Sequence, residues 1–117
     1  MKISEIMETL KATVLVGHDQ LDTEVVAAGA ADLMDDILAA LAKGSVLLTG
    51  VTSQHVLRTA KIAGVGAIVF VRSKMPDDEI LEMARSFNVP ILQTHYSMFV
   101  ASGRLYMNGL RGLDGSW

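Results

Sequence analysis

At 117 residues the sequence has the length of one domain, and it contains no cysteine. The lack of cysteine excludes disulfides, thiolate catalysis and thiolate metal sites. A formal net charge of −3 with no basic cluster argues against nucleic acid or an anionic membrane as the main partner. The amphipathic start, MKISEIMETL, differs from a signal peptide, and no apolar run approaches the roughly 20 residues of a membrane span. The sequence therefore predicts a cytoplasmic protein.

The mean hydropathy of +0.37 is high for so small a domain, whose surface is large relative to its core. A core rich in alanine and valine is one explanation. A buried subunit interface is the other, because a surplus of apolar surface marks contact sites. We expect a homodimer.

The N-terminal part of the sequence has the pattern of a helix, a strand, a polar loop and a second short strand. Ile3, Ile6 and Leu10 recur at helical spacing, with Ser4 as the candidate N-cap. The strand, the loop and the second strand are predicted over residues 12–16, 18–22 and 25–29.

The remaining sequence alternates apolar strands with amphipathic helices. Residues 46–48 form an uninterrupted apolar run, which is typical of a strand buried on both faces, and Thr52 or Ser53 can cap the helix that follows. Helices are predicted over residues 32–43 and 53–63, from Pro76 to the residue before Asn88, and up to about Met107, with further strands at 67–71 and 89–92.

This alternation predicts the α/β fold class, in a single domain with a mostly parallel sheet flanked by helices. The domain spans residues 1–117, with its core at about 24–105 and an irregular, glycine-containing tail at 108–117. No repeat, linker or low-complexity segment interrupts it.

Polar residues follow three of the predicted strands, where ligands collect in parallel sheets. They offer hydroxyls, helix N-termini, two cations and an imidazole, which together suit an anion or a phosphate. The alternative is that these loops are polar only because they are exposed and cap helices. The candidate ligand-binding residues are Gly50, Thr52, Ser53, Arg72, Ser73, Lys74, Thr94 and His95.

Motifs for metal binding and catalysis are missing from the sequence. His18, His55 and His95 lack metal-ligand spacing, and Gly64-Val65-Gly66 precedes a strand instead of opening a helix as a dinucleotide fingerprint does. No phosphate-binding loop of the nucleotide-hydrolysing type is present. We expect no metal, no cofactor and no catalytic residue.

The stretch from Glu24 to Leu105 resembles a DRTGG domain. The resemblance lies in Asp32-Leu33-Met34, in the spacing from Leu48-Thr49-Gly50 to Ala67-Ile68-Val69, and in Val89-Pro90-Ile91-Leu92 followed by a threonine and a polar helix start. Such domains occur within phosphotransacetylases, CBS-domain pyrophosphatases and, in related form, the region preceding HPr kinase catalytic domains. Stand-alone versions also exist, some encoded near components of iron-only hydrogenases. The resemblance implies a dimerising regulatory or accessory module rather than a catalyst.

Two signature segments depart from the family pattern. Where the family commonly has Gly-Asp-Arg after the central strand, this sequence has Gly50 followed by Val51-Thr52-Ser53. Where Thr-Gly-Gly is common after the next strand, it has Val71-Arg72-Ser73. Of these positions, only Gly50 carries over.

The sequence thus favours a non-catalytic regulatory module that binds a small anionic ligand, such as a nucleotide or a phosphorylated metabolite. Two alternatives stay open. One is a structural accessory subunit that docks on a metabolic or redox enzyme, for example in an iron-only hydrogenase system. The other is a small enzyme, such as a phosphotransferase fragment with His95 as acid or base.

Overall fold

The computed structural model describes residues 1–33 and 43–113 of the chain. In chain order these residues form α1 (Ile3–Thr9), β1 (Thr13–Val16), a 3₁₀ helix (His18–Gln20), β2 (Ala28–Ala30), β3 (Val46–Thr49), α2 (Gln54–Ala63), β4 (Ala67–Phe70), α3 (Asp78–Phe87), β5 (Ile91–Gln93) and α4 (Met98–Met107).

The strands form one five-stranded sheet in the order β1-β5-β4-β3-β2. Strands β2, β3, β4 and β5 run parallel to one another, and β1 pairs antiparallel with β5 at one edge. The prediction of a mostly parallel α/β sheet is confirmed. Its central strands β3 and β4 are buried along their whole length, as their uninterrupted apolar sequences indicate.

Two apolar half-cores cover the two faces of this sheet. Leu47, Ile68 and Phe70 pack among the buried residues of α2 and α3, whereas Leu48 and Val69 pack with those of α1 and α4. Successive residues of a strand point to opposite faces, so each central strand contributes to both half-cores.

Serine and aspartate residues are the N-caps of three of the helices. The side chains of Ser53, Asp77 and Ser97 accept hydrogen bonds from the third backbone N–H of α2, α3 and α4, respectively. Each cap satisfies one N–H group that has no acceptor within its helix. The predicted cap at Ser53 is therefore confirmed.

The first helix begins two residues earlier than an N-cap at Ser4 requires. Helix α1 starts at Ile3, and Lys2 is its N-cap, so the prediction for Ser4 was wrong. The Lys2 backbone N–H donates to the Glu5 carboxylate at 2.9 Å. The carboxylate in the first turn thus satisfies the N–H group just before the helix, as in a capping box.

Other element bounds also differ from the sequence-based prediction. Strand β2 begins at Ala28 rather than Val25, because its partner β3 begins at Val46, which is paired with Ala28. Residues 18–20 form a 3₁₀ helix within the predicted loop. Pro76 precedes α3, which starts after the Asp77 cap.

Two predicted segments fall largely outside the part that the structure describes. Residues 34–42, which make up most of the helix predicted over 32–43, are outside it, and so are the last four residues of the tail. The described part of the tail is anchored: Leu110 is buried, and the Arg111 carbonyl accepts the Ala28 N–H at 2.8 Å.

No helix among the described residues is long and apolar enough to cross a bilayer.

Candidate functional site

The loops that follow β3, β4 and β5 lie side by side at the carboxyl edge of the sheet. The Val71 N–H donates to the Thr49 carbonyl and the Thr94 N–H donates to the Phe70 carbonyl, each at 3.0 Å. Because β3, β4 and β5 are parallel, these bonds align the three loops, which we call the strand-end cleft. All eight candidate residues lie on or directly beside these loops.

The loop after β4 is a tight turn with two residues in the left-handed region. Arg72 and Ser73 have φ angles of 57° and 58°, and the Lys74 N–H closes the turn on the Val71 carbonyl at 3.1 Å. This region disfavours residues that carry a Cβ by about 1–2 kcal/mol each. The turn persists because it is tied to the next loop.

Two backbone bonds tie this turn to the loop after β5. The Arg72 N–H donates to the Tyr96 carbonyl at 2.8 Å, and the Ser73 N–H donates to the Thr94 carbonyl at 3.0 Å. The Gln93 side-chain amide donates to the carbonyls of Ser73 and Lys74, at 3.2 and 3.0 Å. The side chains of Arg72 and Ser73 are therefore held at defined positions in the strand-end cleft.

At the corner after β3, the Asp32 carboxylate meets the Arg72 guanidinium. One Asp32 oxygen accepts the Gly50 N–H at 2.9 Å and the Thr49 hydroxyl at 3.2 Å. The other lies 3.8 Å from an Arg72 nitrogen, and both of these side chains are 45% exposed. A pair this exposed adds at most about 1 kcal/mol to stability. Its main effect is to hold two opposite charges beside each other at the corner after β3.

Gly50 allows the Arg72 guanidinium to lie close to the backbone of the β3 corner. A Cβ at this position would overlap the guanidinium nitrogen of Arg72, so any other residue there would displace that side chain. The guanidinium thus lies against the backbone of the β3 corner.

Sequence reasoning missed Asp32 as a residue of the site. It was interpreted as the start of a helix, whereas its partners are Thr49, Gly50 and Arg72, the nearest of them 17 residues away. The one available signal was its position two residues after the end of strand β2, whose carboxyl end lies at the same edge of the sheet.

Ser73 and His95 form a second contact in the cleft. The Ser73 hydroxyl lies 2.5 Å from Nδ1 of His95, and both residues are exposed. A hydroxyl beside an imidazole is a partial nucleophile–base pair. Within residues 1–33 and 43–113, however, no carboxylate is bonded to His95 to orient the ring.

Thr94 is placed differently from the other candidates. It is 1% exposed, and its hydroxyl donates to the Leu10 carbonyl at 2.7 Å while accepting the Tyr96 N–H at 3.3 Å. Both contacts are internal, so Thr94 joins the β5 loop to the end of α1.

Thr52, Ser53 and Lys74 complete the cleft. The Ser53 hydroxyl oxygen accepts the Val56 N–H at 3.4 Å, so it caps α2 while its O–H hydrogen can still donate. Lys74 is exposed, and it forms no ion pair with any residue in the described ranges. Beside the β5 loop, a cavity of about 250 Å³ is lined by Leu10, Lys11, Thr94, His95 and Tyr96.

The structure is an α/β domain that carries hydroxyl, guanidinium and ammonium groups at the carboxyl ends of its parallel strands. The family model of the DRTGG domain matches residues 5–107, and the chain belongs to this family. The resemblance inferred from the sequence is confirmed, and the match extends further towards the N-terminus than the stretch from Glu24.

Among solved structures, the chain is similar to the CBS and DRTGG domains of the regulatory region of Clostridium perfringens pyrophosphatase, which was solved in complex with an activator, diadenosine tetraphosphate. The TM-score is 0.75 at 16% identity, and the match covers 97% of this chain and 48% of that one. This chain therefore spans about half of its structural neighbour, and the likeness shows a shared fold. A search of curated protein sequences finds no match.

The backbone of the β4 turn explains why glycine would suit two positions at which the sequence departs from the family pattern. Arg72 and Ser73 occupy the two positions where glycines are common in the family, and both positions have positive φ. Glycine adopts this conformation without steric cost. In this chain a cation and a hydroxyl occupy two positions whose backbone conformation favours glycine.

Proposed function

We propose that the protein is a regulatory module that senses a small anionic ligand at the strand-end cleft. The β4 turn is the observation that carries this proposal, because it holds Arg72 and Ser73 in a conformation that costs folding energy. Both side chains extend from the carboxyl edge of a parallel sheet, where ligands bind in this class of fold. A DRTGG-containing regulatory region that was solved with a nucleotide activator supports the same class of role.

Arg72 and Lys74 provide the positive charge in this proposal. Thr52 and Ser53 provide hydroxyls, and the first N–H groups of α2 provide donors that have no acceptor within the helix. Gly50 keeps the guanidinium close to the β3 corner. Ser73 and His95 form the opposite side of the cleft, and Thr94 holds that side to α1.

The Asp32 carboxylate already occupies part of this arrangement. It accepts the Gly50 N–H and lies beside Arg72, as a ligand phosphate at the same position would. Binding of an anion there requires that Asp32 gives up one or both contacts. We propose that this exchange of an internal carboxylate for a ligand oxyanion is the sensing step.

The ligand class that fits is a phosphorylated metabolite or a nucleotide. A phosphate matches the guanidinium, ammonium and backbone N–H donors, while the cavity beside His95 and Tyr96 offers room for an uncharged part of the ligand. Without an orienting carboxylate on His95 in the described part of the chain, the Ser73–His95 contact serves binding rather than catalysis in this proposal.

The high mean hydropathy supports a homodimer, which we propose as the working form of the module. The mass of the protein in solution, measured over a range of concentrations, tests this part of the proposal.

A thermal-shift screen tests the binding site. Purified protein is heated with ATP, diadenosine tetraphosphate, sugar phosphates or acyl phosphates. A ligand at about 100 times its dissociation constant stabilises the native state by about 2.7 kcal/mol, which is a measurable rise in Tm for a domain of this size. The R72A/K74A double variant is expected to lose this rise.

A matched control removes two cations from the other end of the strands. Lys43 precedes β3 and Arg85 lies in the last turn of α3, so K43A/R85A makes the same change in net charge away from the cleft. It should respond to the ligand as the parent protein does. A flat screen with the parent protein, or equal shifts for both double variants, would overturn the assignment of the site.

A further inference from the structure

Helix α4 is apolar on the side that faces away from the sheet as well as on the side that faces it. Ala101 and Leu105 are buried against the sheet. Phe99 and Met107, by contrast, are 87% and 85% exposed. A helix that is apolar all round is usually buried on all sides.

The exposed apolar residues of α4 form one continuous face centred on a glycine. At about 100° per residue, Phe99, Val100, Tyr106 and Met107 all project within about 60° of the direction of Gly103. A Cβ at Gly103 would meet no atom within 4 Å. We call these five residues the α4 face.

Helix α4 contributes no charged side chain to the α4 face. Helix α4 contains no acidic residue, and its single arginine, Arg104, lies over the ring of Tyr96 at 4.4 Å. Arg111 lies over the ring of Tyr106 at 4.6 Å. Both nearby guanidinium groups therefore stack on aromatic rings, and the α4 face is apolar apart from the Tyr106 hydroxyl and the Arg111 guanidinium beside it.

We propose that the α4 face is the interface between two copies of this chain, with the two α4 helices antiparallel across a twofold axis near Gly103. This inference rests on the proposed homodimer and assigns its surface. In a twofold interface the same patch serves both subunits. Phe99 and Met107 each lie four residues from Gly103, so an antiparallel pair brings Phe99 against Met107 of the partner subunit, and the reverse.

The glycine at the centre favours this arrangement. Where two helices cross at glycines, their backbones approach more closely than side chains would otherwise allow, and the flanking large residues can interdigitate. A bulky residue at position 103 would separate Phe99 and Met107 from their counterparts.

The area of the α4 face suits a dimer of modest stability. The exposed parts of its four large side chains amount to about 500 Å² per copy, from typical side-chain areas. Two copies would bury about 1,000 Å² in total, which is the lower end of what specific interfaces require. We expect a dimer that dissociates at low protein concentration.

Sedimentation of the full chain tests the α4 face. The F99D/M107D variant places four carboxylates in the proposed interface, and its dimer dissociation constant is expected to rise at least about 100-fold. Because both side chains are exposed, the fold should be retained, which circular dichroism checks. The matched control is V26D/I62D, which makes the same change in net charge at two large apolar residues outside α4, since Val26 and Ile62 are 71% and 78% exposed.

The possible outcomes distinguish the location of the interface from the existence of a dimer. A parent protein that is monomeric at every concentration would overturn both. A dimeric parent whose F99D/M107D variant stays dimeric would overturn the α4 face and leave the dimer standing.

A cysteine cross-link gives an independent readout. The chain has no cysteine, so G103C introduces a single thiol. If the twofold axis passes near position 103, mild oxidation should link two G103C chains, because disulfides form when the Cα atoms are about 4.4–6.8 Å apart. The I62C variant should stay unlinked under the same conditions. Equal linking of G103C and I62C would contradict the proposed interface.

Discussion

At the scale of single residues, the chain keeps side chains where its backbone favours glycine. Arg72 and Ser73 have positive φ, and the bonds from their N–H groups to Tyr96 and Thr94 fix that conformation. Strain of this kind is retained when the surroundings enforce it, and it concentrates at functional sites. The side chains that we propose for ligand binding therefore lower the stability of the fold at these two positions.

The cost in stability can be measured at Ser73. Both S73G and S73A remove the hydroxyl that contacts His95, but only S73G removes the Cβ from a left-handed residue. S73G is therefore expected to be more stable than S73A by about 1 kcal/mol in urea denaturation. Lys74 has no positive φ, so K74G should be less stable than K74A. Equal stabilities for S73G and S73A would show that the turn is not strained.

The residues of the site differ in how well the sequence predicts their positions and contacts. The hydroxyls and cations after β3, β4 and β5 were identifiable, because the carboxyl ends of parallel strands share an edge. The contact of Asp32 with Gly50 was not, since it joins residues far apart in the chain. Nothing in the sequence around Thr94 indicates that its hydroxyl is bonded to Leu10.

At the scale of elements, a serine at the start of an amphipathic run predicted one helix start correctly and another wrongly. Ser53 caps α2, whereas Ser4 lies inside α1. Strand bounds were less accurate, because a strand extends only as far as its partner: β2 starts opposite the first residue of β3. Val25 and Val26 are β-branched, but they lie outside this pairing.

The contribution of a helix cap to stability can be predicted from the structure. The Asp77 carboxylate accepts the Ile80 N–H at 3.0 Å, so D77A is expected to lower the free energy of unfolding by about 1 kcal/mol. D78A removes the same charge from the first turn of α3 without removing the cap, and it should cost less. S4A should change stability by less than about 0.5 kcal/mol, because Ser4 lies inside α1. Thermal unfolding of the three variants ranks them, and a cost for S4A as large as that for D77A would contradict the cap assignment.

At the scale of the whole molecule, the proposed ligand site and the proposed dimer surface share a structural connection. The Arg72 N–H is bonded to the Tyr96 carbonyl, and Arg104 of α4 stacks on the Tyr96 ring. One residue thus touches both the β4 turn and the helix that carries the α4 face. A ligand that shifts the turn would therefore also act on α4 through Tyr96.

A regulatory module requires this connection to have an energetic effect, and thermodynamic linkage makes it testable. Typical couplings of 1–3 kcal/mol correspond to about 5- to 150-fold changes in affinity.

A ligand found in the screen is expected to tighten the dimer at least about 5-fold in sedimentation experiments. The F99D/M107D monomer should then bind that ligand more weakly by about the square root of that factor, because coupling between binding equilibria is reciprocal and each dimer carries two ligand sites. R104Q should retain dimerisation and ligand binding but bring the factor towards one, since it removes the stack on Tyr96. If the monomeric variant binds the ligand as tightly as the dimer does, the two sites act independently, and a ligand in the cleft has no route through α4 to the assembly of the protein.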